Sequence, residues 1–217
     1  MRYEYILFDL DGTLTDPALG ISNSIIYALK KYGIEVGERS ELFKFIGPPL
    51  AESFEKYYGF SEEKANQAVE YFREYYRAQG IFENVIYDGI EELLKTLQEK
   101  HRQLLVATTK PEVFAKQILE HFAIAQYFSF IAGSNLDGTR VKKDEVIAYA
   151  LESCKITDLT KTIMIGDREH DVLGAKKIGI ASLGVLFGYG DRAEHEKAGA
   201  DYIVERVDEI EKIVCAE

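Results

Sequence analysis

Apolar and polar positions along the chain fall into three successive patterns. The first is a short continuous run, Tyr5-Ile6-Leu7-Phe8, that stops at Asp9-Leu10-Asp11-Gly12-Thr13, where small and acidic residues mark a loop. A continuous apolar run this short predicts a strand buried on both faces. It empties directly into an acidic loop. From Asp16 the spacing lengthens to three and four residues, the helical period. Asp16-Pro17 predicts a cap and first helical position, and Ile21, Ile25, Leu29 and Tyr32 carry the apolar face as far as Gly33. A short piece from Ser40 through Phe43 and Ile46 ends at Gly47-Pro48-Pro49. Leu50, Phe54 and Tyr57 mark a helix closed by Gly59, and Ser61 caps another whose face holds Ala65, Ala68, Val69, Phe72 and Tyr76. Residues 16 to about 85 therefore read as all-helical, without a strand.

Beyond Asp88-Gly89 strands and helices alternate. Strands are predicted at Leu104–Ala107, Phe128–Ala132, Thr162–Ile165, Leu183–Leu186 and Asp201–Val204. Helices follow from Pro111, from about Asp144 to Ser153, past Gly174, and at the C-terminal end. Continuous apolar strands separated by helices predict a parallel sheet covered on both faces. The fold class expected is α/β: a Rossmann-like core of residues 1–15 and 86–217, with an all-helical insertion at 16–85.

Composition narrows the class of protein. The 217 residues hold 26 Lys and Arg against 37 Asp and Glu, a formal net charge of −11, and 47% are hydrophobic. Such a chain buries a sizeable core without disulfides, and Cys154 and Cys215 are too few for a disulfide framework or a zinc site. The acidic surplus argues against nucleic acid and against anionic membrane surfaces as partners. It leaves room for a small phosphorylated metabolite if some local site is positive. The chain enters a strand almost at once, and no run approaches the roughly 20 apolar residues of a membrane span. A cytoplasmic monomer or weak dimer is the expectation.

Ligands of open parallel sheets bind beyond the carboxyl ends of the strands, so the residues at those ends are the candidates. The first strand delivers Asp9 and Asp11, the second Thr108, Thr109 and Lys110, the third Ser134 and then Lys142-Lys143, and the fourth Asp167 and Asp171. Carboxylates alone would repel one another and an anionic substrate; a divalent cation with oxygen ligands reconciles them. Asp9 and Asp11, two apart, point to the same side of an extended strand end. That suits a pair in which one attacks and the other moves a proton. Asp16, Asp88 and Asp191 read as caps or turn residues, His170 as a surface helix residue, and Lys110 as a group at the rim or in solvent. Most of the aromatic rings between Phe43 and Tyr76 read as core, because a small helical bundle needs large side chains to bury enough area.

Phe8-Asp9-Leu10-Asp11-Gly12-Thr13-Leu14 resembles the first motif of the haloacid dehalogenase-like phosphohydrolases. Thr108, a lysine near 143, and Gly166-Asp167-Arg168-Glu169-His170-Asp171 follow in that family's order, so the resemblance spans essentially the whole chain. It implies a phosphoglycolate phosphatase-like enzyme that hydrolyses a small phosphomonoester with Mg2+. A nucleoside 5′-monophosphatase or a β-phosphoglucomutase-like isomerase is the alternative. Asp9 would be the nucleophile that forms an aspartyl phosphate, and Asp11 the general acid and base. Asp9, Asp11 (through its carbonyl) and Asp167 would hold the metal, with Asp171 and Gly12 in support. Thr108, Thr109 and Lys143 would bind the phosphoryl group, Lys143 fitting the register better than Lys142 although the proline that often follows is absent. The insertion at 16–85 resembles the helical cap of such enzymes, and Ile46-Gly47-Pro48-Pro49-Leu50 reads either as its substrate-facing loop or as a plain helix–helix connection.

Overall fold

The structure, a computed structural model, describes residues 2–216. The chain divides into two compact units, one made of the residues up to Thr15 and from Ile86 onward, the other of Asp16–Val85. Strand β1 (Tyr5–Phe8) is followed by the two-residue β2 (Thr15–Asp16) and by helices α1 (Ala18–Lys30), α2 (Leu50–Tyr58) and α3 (Glu62–Ala78). The equally short β3 (Val85–Ile86) is the hydrogen-bonded neighbour of β2 where the chain passes between the units. Then come α4 (Ile90–Glu99), β4 (Gln103–Pro111), α5 (Glu112–His121), β5 (Phe130–Ser134) and α6 (Lys143–Ser153). The chain ends with β6 (Thr162–Gly166), α7 (Glu169–Ile178), β7 (Ala181–Val185), α8 (Arg192–Ala198), β8 (Tyr202–Val204) and α9 (Val207–Val214).

Six strands form one sheet in the order β5-β4-β1-β6-β7-β8, every neighbouring pair parallel. Strand β1 lies in the middle because its side chains suit no other place: Ile6, Leu7 and Phe8 have no solvent exposure. Burying each such side chain is worth about 1.5–3 kcal/mol. Leu7, Leu105, Ala107, Ala132 and Met164 pack with Val146, Ile147 and Ala150 of α6 and Ala175 of α7, which cover one face. The chain builds outward on one side of β1 through β4 and β5, then returns to the other side as β6. The strand order reverses between β1 and β6, where crevices at the carboxyl ends of open sheets form.

Several boundaries differ from the sequence expectation, each for a local reason. Strand β4 runs past Ala107 to Pro111 after a register shift against β5, so Thr108, Thr109 and Lys110 extend the strand instead of following it. Pro111, with no N–H to offer a ladder, ends the strand and stands at the N-cap of α5. Strand β5 begins at Phe130, two residues late, because Phe128 closes the short 3₁₀ turn Ala125–Tyr127 and packs edge-on against Phe8, 6.3 Å between ring centres. Asp201 stands outside β8, its carboxylate accepting from the Ser182 N–H and hydroxyl at 2.8 and 2.9 Å. The segment 16–85 is helical except at its two ends, where β2 and β3 pair.

Within the helical unit the apolar stripes of α1 and α3 are the ones the spacing predicts, except that α1 ends at Lys30, before Tyr32. Ile21, Ile25 and Leu29 of α1 and Ala65, Ala68, Val69, Phe72 and Tyr76 of α3 are buried. The Ser61 side chain accepts from the Lys64 N–H at the start of α3, and Gly59 closes α2 in the left-handed region at φ 64°. Phe45, Phe54 and Phe60 form a buried aromatic cluster, the rings of Phe54 and Phe60 stacked at 5.9 Å. The capping expectation holds at Asp191, the N-cap of α8, but not at α1, where Pro17, expected as the first helical residue, is the N-cap and Asp16 lies in β2. Asp16 accepts from the Ala18 N–H at 2.9 Å and Asp191 from the Glu194 N–H at 2.8 Å.

Candidate active site

Asp9 leaves β1 at the reversal point, and its own backbone orients it: the Leu10 N–H donates to Oδ1 at 2.7 Å. The chain then turns sharply, with the Leu14 N–H donating to the Leu10 carbonyl and the Gly12 N–H to that of Thr15. Gly12 takes φ 81° here, and a Cβ in its place would lie 2.0 Å from Asp167 Oδ2. Only glycine meets both demands, the left-handed backbone and the contact. The acidic loop therefore lies directly against the aspartate that leaves β6.

Lys143 stands at the first residue of α6 and reaches back under the sheet ends. Its ammonium is 3.0 Å from Asp9 Oδ1 and 2.7 Å from Asp171 Oδ1, and it donates to the Ala107 carbonyl at 3.1 Å. Lys143 is 5% exposed, whereas Lys142 is exposed. The helix start thus aims the second lysine inward and the first outward. Gly174 makes room for it, since a Cβ there would come within 2.8 Å of the Lys143 side chain. Asp171, in the first turn of α7, accepts from the Arg168 N–H at 3.1 Å through its other oxygen. Thr108 is buried next to Ala107, and its hydroxyl accepts from the Lys110 N–H at 3.2 Å. Thr109 is half-buried and makes no hydrogen bond to these groups among the described residues. His170 is exposed, as a helix surface residue should be.

Carboxylate oxygens of Asp9, Asp167 and Asp171 lie within 4.8 Å of one another, all three residues buried. One ammonium, that of Lys143, meets two of these three carboxylates, Asp9 and Asp171. Burial alone would push the Lys143 ammonium down, but Asp171 and Asp9 outweigh it and hold it above the ordinary lysine range. Burial pushes the Asp171 carboxyl up, Lys143 offsetting part of the effect. Asp167 stands well above the usual carboxylate range, through burial and then through Asp171 and Asp9. Its Oδ2 accepts from the Tyr189 N–H at 2.8 Å, while Oδ1 is buried with no hydrogen-bond partner among the described residues. Leaving a charged oxygen buried and unpaired is costly. A divalent cation with oxygen ligands is the group whose charge and donor preference fit this set.

One contributor is placed differently from the sequence reading and another is absent from it. Lys110, expected at the rim, is half-buried with its side chain turned inward: its ammonium lies 2.5 Å from Asp11 Oδ2, the two side chains 7% and 15% exposed. The loop after β7 is the other. It supplies the Tyr189 N–H, and Gly188 approaches so closely that a Cβ there would lie 2.2 Å from the Gly12 carbonyl and 2.4 Å from Asp167 Cβ. The signal for this loop is present in Phe187-Gly188-Tyr189-Gly190, a glycine pair at a fifth strand exit.

Residues 6–185 match the family model described as haloacid dehalogenase-like hydrolase. A protein from Pseudomonas aeruginosa named 5′-nucleotidase is 48% identical over 194 residues, covering 89% of this chain and 87% of its own length. A phosphoglycolate phosphatase from Vibrio vulnificus is 29% identical, covering 96% and 95%. The crystal structure of a predicted phosphatase from Clostridium acetobutylicum superposes with a TM-score of 0.95 at 52% identity, over the full length of both chains.

Proposed function

The chain belongs to the haloacid dehalogenase-like hydrolase family and is a phosphatase of it, and from that premise we propose that it cleaves nucleoside 5′-monophosphates through an aspartyl phosphate on Asp9. The observation that carries the chemistry is the buried contact of Asp9 with Lys143, beside the unpartnered oxygen of Asp167. In the first half-reaction an Asp9 carboxylate oxygen attacks phosphorus, and the bond from phosphorus to the leaving oxygen breaks. Asp11 gives its proton to that oxygen. In the second, water attacks phosphorus, Asp11 takes the proton, and the bond to Asp9 breaks to release inorganic phosphate. Proton transfer of this kind is worth ~10²–10⁴-fold.

Lys143 holds Asp9 in its attacking orientation and balances charge around the phosphoryl group. The hydroxyls of Thr108 and Thr109 bind the phosphoryl oxygens. Mg2+ would be held by the Asp9 and Asp167 carboxylates and the Asp11 carbonyl, with Asp171 keeping Lys143 in place. When bound, it draws charge from the phosphoryl oxygens and offsets the carboxylates. The residues' own part is mostly orientation, as phosphoryl transfer requires.

The nucleotide assignment, ahead of the phosphoglycolate one expected from the sequence, is supported by the 48% identity to the Pseudomonas aeruginosa protein against 29% to the Vibrio vulnificus one. Release of inorganic phosphate with Mg2+ from nucleoside 5′-monophosphates, from 2-phosphoglycolate and from a sugar phosphate tests it. The expected order of kcat/KM puts a nucleotide first. A higher value for 2-phosphoglycolate, or isomerisation of the sugar phosphate, overturns the substrate assignment. Asp9→Asn should abolish turnover of every one of these esters; retained turnover overturns the mechanism. Lys143→Ala should cost far more than Lys142→Ala, and the reverse would transfer the phosphoryl contact to Lys142.

A further inference from the structure

The two lysines of this site divide its carboxylates between them. Lys143 serves Asp9 and Asp171, while Lys110 serves Asp11. The Lys110 contact joins residues 99 apart in the chain. It exists only because β4 continues beyond Ala107, and the Thr108 hydroxyl accepts from the Lys110 N–H at the point where the strand has shifted register. Taking such an ion pair out of water is a net cost or close to it, so its geometry calls for a purpose other than stability. That purpose is visible in the two oxygens of Asp11. Oδ2 is held by the ammonium, and Oδ1 is buried with no hydrogen-bond partner among the described residues.

We propose that Lys110 is a positioning residue that fixes the Asp11 carboxylate by Oδ2 and so reserves Oδ1 as the oxygen that exchanges the proton. The proposal rests on the reading of Asp11 as general acid and base. In the first half-reaction the proton on Oδ1 passes to the leaving oxygen as its bond to phosphorus breaks. In the second, Oδ1 receives a proton from the attacking water. Lys110 transfers nothing itself. It narrows the rotation of a carboxylate whose proton must be in line with the scissile bond, the kind of orientation whose loss costs orders of magnitude in rate. The same geometry explains why a lysine stands there: a compact ammonium on a flexible stem suits a single carboxylate oxygen, whereas the guanidinium fork of arginine prefers two.

The test is leaving-group dependence. An alkyl phosphomonoester needs a proton on its leaving oxygen, and p-nitrophenyl phosphate needs little help. Wild type, Lys110→Met and Lys110→Arg are compared by kcat/KM on both esters with Mg2+, with thermal unfolding as a check on folding. Lys110→Met should lose on the order of 10²-fold on the alkyl ester and less than about 10-fold on p-nitrophenyl phosphate, with Lys110→Arg between it and wild type. A merely structural role would lower both esters together, and that result overturns the proposal, as does unchanged kcat with raised KM. Should Lys110→Met fail to fold, Lys110→Arg alone carries the comparison and must still show the larger loss on the alkyl ester. Asp9→Asn is assayed alongside. If it keeps turnover, the covalent mechanism fails; if it is inactive and the Lys110 variants lose equally on both esters, only the positioning proposal fails.

Discussion

Asp167 shows how much one side chain can carry at this site. It is 1% exposed, close to two other carboxylates, and one of its oxygens has no hydrogen-bond partner among the described residues. Without a cation its charge is a burden on the fold, since uncompensated buried charges destabilise by several kcal/mol. Asp167→Asn should therefore raise the unfolding temperature of the metal-free protein by a few degrees. Millimolar Mg2+ should stabilise the wild type, and the substitution should erase that stabilisation and turnover with it. Differential scanning calorimetry with and without Mg2+ measures both effects; an undiminished Mg2+ shift in the variant would remove Asp167 from the ligand set. At this scale the sequence is legible where a site residue follows directly on an apolar strand, as Asp9, Asp11 and Asp167 do. Lys110 is illegible because its burial depends on how far β4 runs and on a partner across the sheet, neither of which local spacing encodes. Lys143 lies between the two cases: spacing brings a pair of lysines to the start of α6, and only the helix geometry decides which turns inward.

Between elements, the contact of α8 with β7 is made through His195 and Gly184. His195 has no solvent exposure, its Nε2 lies 3.3 Å from the Val185 carbonyl, and Nδ1 has no hydrogen-bond partner among the described residues. A Cβ on Gly184 would come within 2.5 Å of Nδ1, so Gly184→Ala should cost about 1–3 kcal/mol through overpacking, read by urea unfolding. The imidazole also makes this contact sensitive to pH. Burial holds its pKa below the ordinary value of 6.5. Unfolded chains thus bind a proton near pH 6.5 that the native state still refuses, and stability falls as pH decreases below that point. The contribution is complete above about 6.5 and is lost progressively down to the folded pKa. His195→Gln should lose less stability than the wild type between pH 7.5 and 5.5 in the same buffer. An equal loss in both proteins would assign the pH dependence elsewhere. Helix α8 is itself only partly legible in the sequence. Asp191 signals its start, but seven residues give too few apolar positions for periodicity to separate a helix from a loop.

For the chain as a whole, length and charge set limits that the fold explains. A surplus of eleven negative charges is by itself ill-suited to phosphate, yet four of the carboxylates, Asp9, Asp11, Asp167 and Asp171, are gathered together, and two ammonium groups meet three of them. The 217 residues exceed what one α/β domain needs, and the excess lies in one continuous stretch whose change of period, from short apolar runs to a three-and-four spacing, is plain in the sequence. What the sequence does not encode is how the two crossings at its ends are tied. The structure pairs them as β2 and β3, and neighbouring strands lie only ~5 Å apart. Closing that gap needs no more than a tight hairpin turn, and the sheet's core consists of residues from the unit that would remain, Leu7, Leu105, Met164, Val146 and Ala175 among them. Replacing residues 17–84 by an Asn-Gly turn, which suits a two-residue hairpin, should therefore leave a protein that unfolds cooperatively in urea and keeps the far-ultraviolet signature of an α/β fold. Its m-value should fall in proportion to the smaller surface exposed on unfolding. A shortened chain with no cooperative transition would mean that the sheet depends on the helical unit for its stability, and that the insertion is part of one folding unit with it.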